Sequence, residues 1–381
     1  MRILYDSKNP FYKDPFGPLK EEQECRVRIR IPESCRTLTV EIRLENEAGR
    51  ELAFPLEKEA IEGPYGLWSG TFLLSEPGLF FYRFFLHTET TDFSLFKQGY
   101  DQTNMEAGEK WQLSCLPKDF HVPGFYAGKV MYQIFPDRFC RAGHVNLHGK
   151  LKPYTVHERE TETPQWRPDH EGRVLNNDFF GGTLRGIEKK LPYLASLGVS
   201  VLYLNPIFKA FSNHRYDTAD YKKIDEMLGT ERQFRSLCRS AHEYGMRVIL
   251  DGVFSHTGSN SRYFDKEKAF GGHGAYCDPD SPYRSWYDFQ EYPDRYTAWW
   301  GIDTLPCVNE LDESFLQFII DGEDSVIAHW LRAGADGFRL DVADELPDAF
   351  IARLRRRMKE IDPQALLIGE VWEDASNKCS Y

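Results

Sequence analysis

The chain has 381 residues, 41% of them hydrophobic, and a net charge of −12 from 47 basic and 59 acidic side chains. This size and composition exclude a disulfide miniprotein and a disordered tail, and they leave room for two or three domains. The excess of acidic residues repels a phosphate backbone, so we expect no nucleic acid partner.

The start of the chain and its apolar stretches bear on its location. The opening segment MRILYDSK lacks the apolar core of a signal peptide, and no stretch reaches the roughly 18 apolar residues of a membrane helix. The cysteines form no Cys-x-x-Cys pair, so reduced thiols are expected rather than a zinc site or a redox pair. We therefore predict a cytoplasmic protein that does not associate with a membrane.

Residues 1–122 show the pattern of an all-β domain. Four segments have the composition or the alternation of strands: residues 26–31, 40–44, 67–74 and 79–86. The last two flank the turn residues Glu76-Pro77-Gly78, which predicts a β-hairpin. A small N-terminal β-sandwich fits this pattern, and residues 117–124 have the composition of a linker.

Residues 123–381 alternate strand and helix patterns. Five short apolar segments indicate strands: residues 130–135, 201–204, 248–250, 337–340 and 365–368. The segments between them carry apolar residues at helical spacing, and one begins with a possible capping box of Thr230 and Gln233. Such alternation predicts an α/β fold with a parallel sheet, either doubly wound or closed into a barrel, and pattern alone does not choose between the two.

Acidic residues end three successive predicted strands. Asp251 follows the third strand, Asp341 the fourth and Glu370 the fifth. Because the C-terminal ends of parallel strands meet at one rim, we expect these side chains to converge there. Each acid could instead cap the turn that follows it, but three in register favour a functional pocket.

The residues beside two of these acids predict opposite protonation preferences. Arg339 lies two positions before Asp341 in a strand, so both side chains point the same way and the guanidinium is expected to keep Asp341 ionised. Glu370 precedes Val371 and Trp372, and an apolar surrounding would keep it protonated. One carboxylate and one carboxylic acid are what cleavage of a glycosidic bond requires.

Two further side chains in loops after strands are candidates for sugar contacts. His256 follows the third strand and could hydrogen-bond a sugar hydroxyl, although a loop histidine without a ligand is an equal alternative. Tyr216 follows the second strand and could stack on a sugar ring, although a tyrosine in such a loop more often serves packing.

Three segments resemble signature motifs of the alpha-amylase family, glycoside hydrolase family 13. They are Asp251-Gly252-Val253-Phe254-Ser255-His256, Gly337-Phe338-Arg339-Leu340-Asp341 and Gly369-Glu370-Val371-Trp372. Residues 213–217 and 305–309 are similar to segments of the neopullulanase and cyclomaltodextrinase branch. The resemblance implies a (β/α)8 TIM barrel preceded by an N-terminal β-sandwich of the carbohydrate-binding kind.

The resemblance also implies a role for each motif residue. Asp341 would be the nucleophile and Glu370 the general acid and base, while Arg339 would support the nucleophile and Asp251 would orient Arg339.

Four more residues would bind the substrate. Tyr216 and His256 would hold the sugar being cleaved, and Glu345 and Trp372 would border the leaving-group side.

The expected function is that of a retaining glycoside hydrolase that acts on α-glucosidic linkages of malto-oligosaccharides, cyclodextrins, starch or pullulan through a covalent glycosyl intermediate. Two alternatives stay open at this point. A sugar hydroxyl could replace water as acceptor, which would make the protein an α-glucan transglycosylase, or the chain could be a catalytically inactive carbohydrate-binding protein or fragment.

A long insertion, about residues 257–310, follows the third strand and is rich in aromatic side chains. In the family a small inserted domain occupies this place and borders the cleft. The rings could also form a miniature core of their own, and both uses can hold for different rings.

The chain departs from the family pattern after the fifth strand. The family barrel has eight strands, and no Asp in this sequence matches the family's third catalytic acid. We therefore expect an N-terminal fragment of the barrel that folds poorly or aggregates by itself, because an unclosed sheet leaves strand edges unpaired.

No cofactor is expected to be required. The branch often binds calcium after the first strand, but here residues 140–144 are poor in acids and the tripeptide Gly181-Gly182-Thr183 replaces Gly-Gly-Asp, so the usual ligands look lost. The prediction for metal ligands is none, and calcium stays open as an alternative. The expected partner is an α-glucan oligosaccharide, and the resemblance is compatible with a homodimer of the full-length protein.

Overall fold

The computed structural model describes residues 2–99, 102–105 and 108–372. These residues form two compact units, one that ends at His121 and one that runs from Val122 to Trp372. The parts of the predictions that concern residues 373–381, including Cys379, lie outside the described residues.

The first unit is built from ten strands. They are β1 (Lys13–Asp14), β2 (Leu19–Lys20), β3 (Cys25–Pro32), β4 (Thr37–Asn46), β5 (Glu51–Glu62), β6 (Tyr65–Phe72), β7 (Gly78–Thr88), β8 (Asp92–Gln98), β9 (Gln102–Asn104) and β10 (Trp111–Leu116). The main order is β1-β3-β6-β5-β4-β7-β10-β2, with β8 and β9 added beside β7. All neighbours are antiparallel except β2 and β10. The predicted N-terminal all-β domain is confirmed.

Alternating burial along the strands explains how this sheet folds over its core. In β7 every second side chain is buried, namely Phe80, Tyr82, Phe84 and Leu86, and these pack in one cluster with residues of β3, β4 and β10. The long strand β5 joins the two halves of the sheet, because its first half pairs with β4 and its second half with β6. One apolar core therefore lies between the two halves.

The predicted hairpin around Glu76-Pro77-Gly78 is wrong. Strand β6 pairs with β3 and β5, whereas β7 pairs with β4, β8 and β10. The turn residues do reverse the chain, but the connection passes from one half of the sheet to the other instead of joining adjacent strands. Turn composition reports a change of direction and carries no information on which strand becomes the neighbour.

The second unit alternates strands and helices. Its strands are β11 (Val130–Ile134), β12 (Thr155–Val156), β13 (Asp178–Phe179), β14 (Val199–Leu204), β15 (Phe208–Ala210), β16 (Thr218–Ile224), β17 (Arg247–Gly252), β18 (Phe289–Glu291), β19 (Arg295–Tyr296), β20 (Gly337–Leu340) and β21 (Leu366–Gly369). Its helices are α1 (Pro136–Phe139), α2 (Leu184–Ser196), α3 (Glu231–Glu243), α4 (Glu313–Leu316), α5 (Val326–Ala333) and α6 (Asp348–Ile361).

Five strands of this unit form one parallel sheet in the order β11-β14-β17-β20-β21. They correspond to the five strands that the apolar pattern predicts, and the predicted α/β class with strand–helix alternation is confirmed. The aliphatic runs of β14 and β17 suit strands covered on both faces, and both strands are almost wholly buried. The side chains of Leu202, Leu204, Val248 and Leu250 join the large core with the helices, whereas Val201 and Ile249 on the other face belong to a separate small cluster.

Local signals set the helix ends. Thr183 caps α2 by accepting the backbone N–H of Gly186, and Thr230 and Gln233 form the predicted capping box at α3. Helix α5 ends at Gly334, which adopts the left-handed conformation with φ 113°. These ends fix where each following strand begins and therefore which residues reach the rim of the sheet.

Candidate active site

The rim of the parallel sheet carries the three predicted acids. Asp251 lies near the end of β17, and Asp341 and Glu370 directly follow β20 and β21. The strand register pairs Asp251 with Arg339 and Leu340 with Gly369. Asp341 and Glu370, which follow Leu340 and Gly369, therefore lie side by side. Backbone hydrogen bonds continue this register, since the N–H of Asp341 donates to Gly252 O and that of Glu370 to Leu340 O.

Arg339 contacts all three carboxylates. Its Nη1 lies 2.9 Å from Asp251 Oδ1 and 2.7 Å from Asp341 Oδ1, and its Nη2 lies 2.6 Å from Glu370 Oε1. The guanidinium is mostly buried, and the carboxylate of Asp251 is fully buried. Asp341 and Glu370 therefore lie at the same rim, within the span of one guanidinium group.

Burial and crowding of negative charge govern the electrostatics of this cluster. Burial raises the pKa of Asp341 to about 7, with a further contribution from Asp251, while Arg339 opposes the rise. Burial likewise raises the pKa of Asp251 to about 6 against the opposing effect of Arg339. The expectation that Arg339 simply keeps Asp341 ionised is therefore incomplete, because one cation is shared among several carboxylates.

The surroundings of Glu370 differ from those expected. Its Oε1 pairs with Arg339 and its Oε2 accepts the backbone N–H of Val342 at 3.1 Å. Val371 and Trp372, which were expected to provide an apolar surrounding, are 37% and 56% exposed. The prediction of an apolar environment is wrong because these neighbours in sequence point to solvent, while Arg339 of β20 and the backbone just after that strand contact the carboxylate.

Tyr216 lies beside Asp251. Its hydroxyl donates to Asp251 Oδ2 at 3.1 Å and accepts from Asn205 Nδ2 at 3.0 Å. The loop that holds Tyr216 connects β15 and β16, an antiparallel pair outside the parallel sheet. The structure thus brings Tyr216 to the acidic cluster through its hydroxyl, with its ring half-buried.

His256 is buried, with 1% of its surface exposed. Its Nδ1 lies 3.0 Å from Ser255 Oγ, and its ring stacks on Trp299 with the ring centroids 5.3 Å apart. Among the described residues its Nε2 has no hydrogen-bond partner. Burial lowers its pKa to about 4, so the ring is neutral near pH 7. A buried polar atom without a partner is uncommon, which singles out Nε2 as a group whose role needs explanation.

Glu345 and Trp372 are connected by two tryptophans of the insertion. Glu345 accepts the indole N–H of Trp299 at 2.8 Å and that of Trp300 at 3.1 Å. Trp300 stacks on Trp299 and meets Trp372 edge to face, with ring centroids 5.2 Å apart in the second pair. Since Trp299 also contacts His256, these residues form one continuous group with the predicted site.

The aromatic residues of the insertion divide between the two expected uses. Tyr263, Phe264, Trp286 and Tyr287 are buried in the large core of the second unit. Trp300, by contrast, is 64% exposed and contacts Glu345 and Trp372. The insertion therefore contains packed core residues and, separately, rings that border the site.

Three polar residues of the site were not predicted from the sequence. Tyr203 Oη lies 2.5 Å from Asp251 Oδ2, and Gln133 Nε2 donates to Asn205 Oδ1 at 3.0 Å, which places Asn205 against Tyr216. The available signal was a tyrosine in an aliphatic strand with an asparagine two positions later on the same face.

The polar side chains at the place where the branch often binds calcium make internal contacts in this chain. The Asp137 carboxylate accepts the N–H groups of Phe180 and Gly181 and pairs with Arg138. Thr183 Oγ1 donates to Ala142 O and accepts from Gly186 N. Calcium requires several free carboxylate or carbonyl oxygens, and in the described part of the chain no group of three or more acidic, His or Cys side chains is arranged to hold a metal.

Comparison with known proteins relates this fold and site to a family. Residues 133–315 match the family described as Alpha amylase, catalytic domain. The chain is 36% identical to the amylopullulanase of Thermoanaerobacterium saccharolyticum over 98% of its own length and 32% of that protein. It is 35% identical to neopullulanase 2 of Thermoactinomyces vulgaris over 68% of its own length and 41% of that protein.

The chain thus spans less than half the length of these two relatives. Among solved structures, the type III pullulan hydrolase from Thermococcus kodakarensis is similar, with a TM-score of 0.57 and 26% identity over 97% of this chain and 61% of that one. In the described ranges no helix has the length and apolar character that crossing a membrane requires. The matched domain, the relatives and the fold show that the chain belongs to the alpha-amylase family.

Proposed function

We propose that the protein is a retaining glycoside hydrolase of α-glucosidic linkages in malto-oligosaccharides, cyclodextrins, starch or pullulan. The observation that carries the proposal is the contact of Arg339 with Asp251, Asp341 and Glu370 at a single rim. The relatives named amylopullulanase and neopullulanase support the substrate class.

The proposed mechanism has two displacements. In the first, Asp341 attacks the anomeric carbon, the glycosidic C–O bond breaks, and protonated Glu370 gives its proton to the departing oxygen. In the second, Glu370 takes a proton from water, the water oxygen attacks the anomeric carbon, and the bond to Asp341 breaks. Arg339 stays charged and stabilises Asp341 as the leaving carboxylate, and Asp251 orients Arg339.

The remaining site residues are proposed to bind the sugar. The unpartnered Nε2 of His256 suits a sugar hydroxyl, and the half-buried ring of Tyr216 lies beside the acids. Glu345 and Trp372 are proposed to border the leaving-group side together with Trp299 and Trp300.

The contact between Glu370 and Arg339 bears on the first step. The carboxyl oxygen that protonates the glycosidic oxygen has to face the bond to be broken, whereas here Oε1 of Glu370 contacts Arg339 and Oε2 accepts the Val342 N–H. We therefore propose that substrate binding replaces this contact, so that the Glu370 Oε1 faces the bond to be broken.

The test is product analysis with maltotriose, cyclodextrin and pullulan, and release of glucan products would also refute the expectation that this chain folds poorly by itself. The protein should release sugars whose anomeric configuration is retained, which proton NMR detects before mutarotation. Asp341→Asn should lower kcat by at least about 10⁴-fold, since it removes the nucleophile. Asp348→Asn, at an exposed position at the start of α6, is the matched control and should keep full activity. Inverted products, or normal turnover by Asp341→Asn, contradict the proposal.

Transglycosylation is the second candidate, favoured by the exposed ring of Trp300 next to Glu345, which could hold a sugar acceptor. Oligosaccharides longer than the substrate in the maltotriose digest would demonstrate it. A cytoplasmic location and a homodimer of the full-length protein stay predictions, the second of which light scattering tests.

A further inference from the structure

Tyr203 is a buried tyrosine in β14, a strand that is mostly aliphatic. The strand register pairs Tyr203 with Ile249 of β17. With a strand period of two, Tyr203, Ile249 and Asp251 share the face of the sheet that points away from the helices. The tyrosine therefore lies on the same face as the acidic cluster.

Tyr203 contacts two members of that cluster. Its hydroxyl donates to Asp251 Oδ2 at 2.5 Å, and the guanidinium carbon of Arg339 lies 5.6 Å from the centroid of its ring. A hydrogen bond to an ionised carboxylate is stronger than one between neutral groups, and a guanidinium is attracted to an aromatic ring. Both contacts favour an ionised Asp251 and a fixed Arg339.

Tyr216 also donates to Asp251 Oδ2, but its situation differs. Tyr216 is half-buried, lies in a loop and shares its hydroxyl with Asn205. Tyr203 is 7% exposed and lies in an interior strand of the sheet. Tyr203 therefore contacts Asp251 from a strand of the sheet, whereas Tyr216 contacts it from a loop.

We propose that Tyr203 is a positioning residue that acts through Asp251 and Arg339 to keep Asp341 placed for attack. Tyr203 itself does not touch the reacting atoms. The inference rests on the proposed function, and it adds a residue outside the motifs to the catalytic apparatus.

Tyr203→Phe removes only the hydroxyl and tests this role. The variant should lose kcat by roughly tenfold or more, the size of effect expected for one hydrogen bond to a charged group, with KM for maltotriose within about twofold. Loss of the donor makes full ionisation of Asp251 and Asp341 harder. The acid limb of kcat/KM should therefore move to higher pH by roughly one pH unit.

Tyr5→Phe is the matched control, since Tyr5 is a buried tyrosine of the first unit whose hydroxyl bonds that of Tyr82. It should leave kcat and the pH profile unchanged. If Tyr203→Phe keeps the unaltered kcat and pH profile, or loses stability and activity without a shift of the acid limb, the positioning role is overturned.

A second substitution covers the case in which Tyr203→Phe fails to fold. Replacement of Tyr203 by 3-fluorotyrosine keeps the hydroxyl and makes it a stronger donor, so the acid limb should move to lower pH. An unmoved limb overturns the proposal. The failure of the two proposals can be distinguished. If the unaltered protein cleaves no glucan, the proposed function is wrong. If the unaltered protein is active and the substitutions at Tyr203 change neither kcat nor the pH profile, only the proposed role of Tyr203 is wrong.

Discussion

At the scale of single residues, the site is organised around the shared guanidinium of Arg339. One positive charge faces the carboxylates of Asp251, Asp341 and Glu370, so the cluster has an excess of negative charge in a mostly buried place. An arginine suits this position because its planar fork presents donors to several oxygens at once, whereas a lysine would offer one compact charge. Burial is the main reason why the pKa of Asp341 rises in spite of its ion pair, and the negative charge of Asp251 adds to the rise.

The raised pKa of Asp341 predicts the pH at which kcat/KM begins to fall on the acidic side, the acid limb of the pH profile. A nucleophile must be ionised, and burial raises the pKa of Asp341 to about 7, so kcat/KM should fall about tenfold for each pH unit below that value. Initial rates with maltotriose between about pH 4 and pH 9 measure the limb. Asp348→Asn should reproduce the same profile, and a limb near the ordinary value of an aspartate would contradict the assignment.

The unpartnered Nε2 of His256 predicts that truncation of this side chain weakens substrate binding. His256→Ala removes a buried group available to a sugar hydroxyl, so KM for maltotriose should rise by about tenfold, the size expected for one hydrogen bond. The exposed His170 provides the control, because His170→Ala should leave KM unchanged. An unchanged KM in His256→Ala would assign the histidine to packing against Trp299.

At the scale of secondary structure elements, the register of β17, β20 and β21 brings the acids together. Asp251 is opposite Arg339, and the end of β20 is opposite the end of β21, so one residue beyond each end reaches the rim. The close approach of β20 and β21 depends on Gly337. A Cβ at that position would lie 2.0 Å from Leu366 O, a backbone atom that cannot move by itself.

Gly337→Ala should therefore shift the two strands and disturb the site. We expect a loss of about 1–3 kcal/mol in the free energy of unfolding, as for other overpacked sites, and at least a tenfold loss of kcat because Asp341 and Glu370 move apart. Chemical denaturation and initial rates measure the two effects. Gly124→Ala is the control, since a Cβ there meets nothing within 4 Å, and equal behaviour of both variants would refute the argument.

At the scale of the whole molecule, the chain combines an antiparallel unit with a parallel strand–helix unit, and every predicted site residue lies in the second. The seven cysteines in the described ranges are free thiols, so no disulfide among them stabilises either unit. The loop that often binds calcium in the family's branch here uses its polar groups for internal contacts.

Removal of divalent metal should consequently leave the protein unchanged. The Asp137 and Thr183 side chains are already satisfied by the backbone and by Arg138, so EDTA should alter neither the melting temperature nor the rate with maltotriose. Differential scanning fluorimetry with and without EDTA, followed by calcium addition, measures this. A melting temperature that falls with EDTA and recovers with calcium would show a site that these residues do not explain.

Patterns in the sequence were enough to predict the two kinds of fold, the five parallel strands, the capping box at Thr230 and the acids at the strand ends. These features depend on periodicity and on residues close together in the chain, which local pattern records. Which strands are neighbours, as at β6 and β7, and which groups surround a carboxylate could be found only in the folded chain. The hydrogen-bond and ion-pair partners of Glu370 and Asp251, including Tyr203, lie in or next to other strands and are far from these acids in the sequence. Their effect on protonation depends on distance and burial, which exist only once the chain has folded.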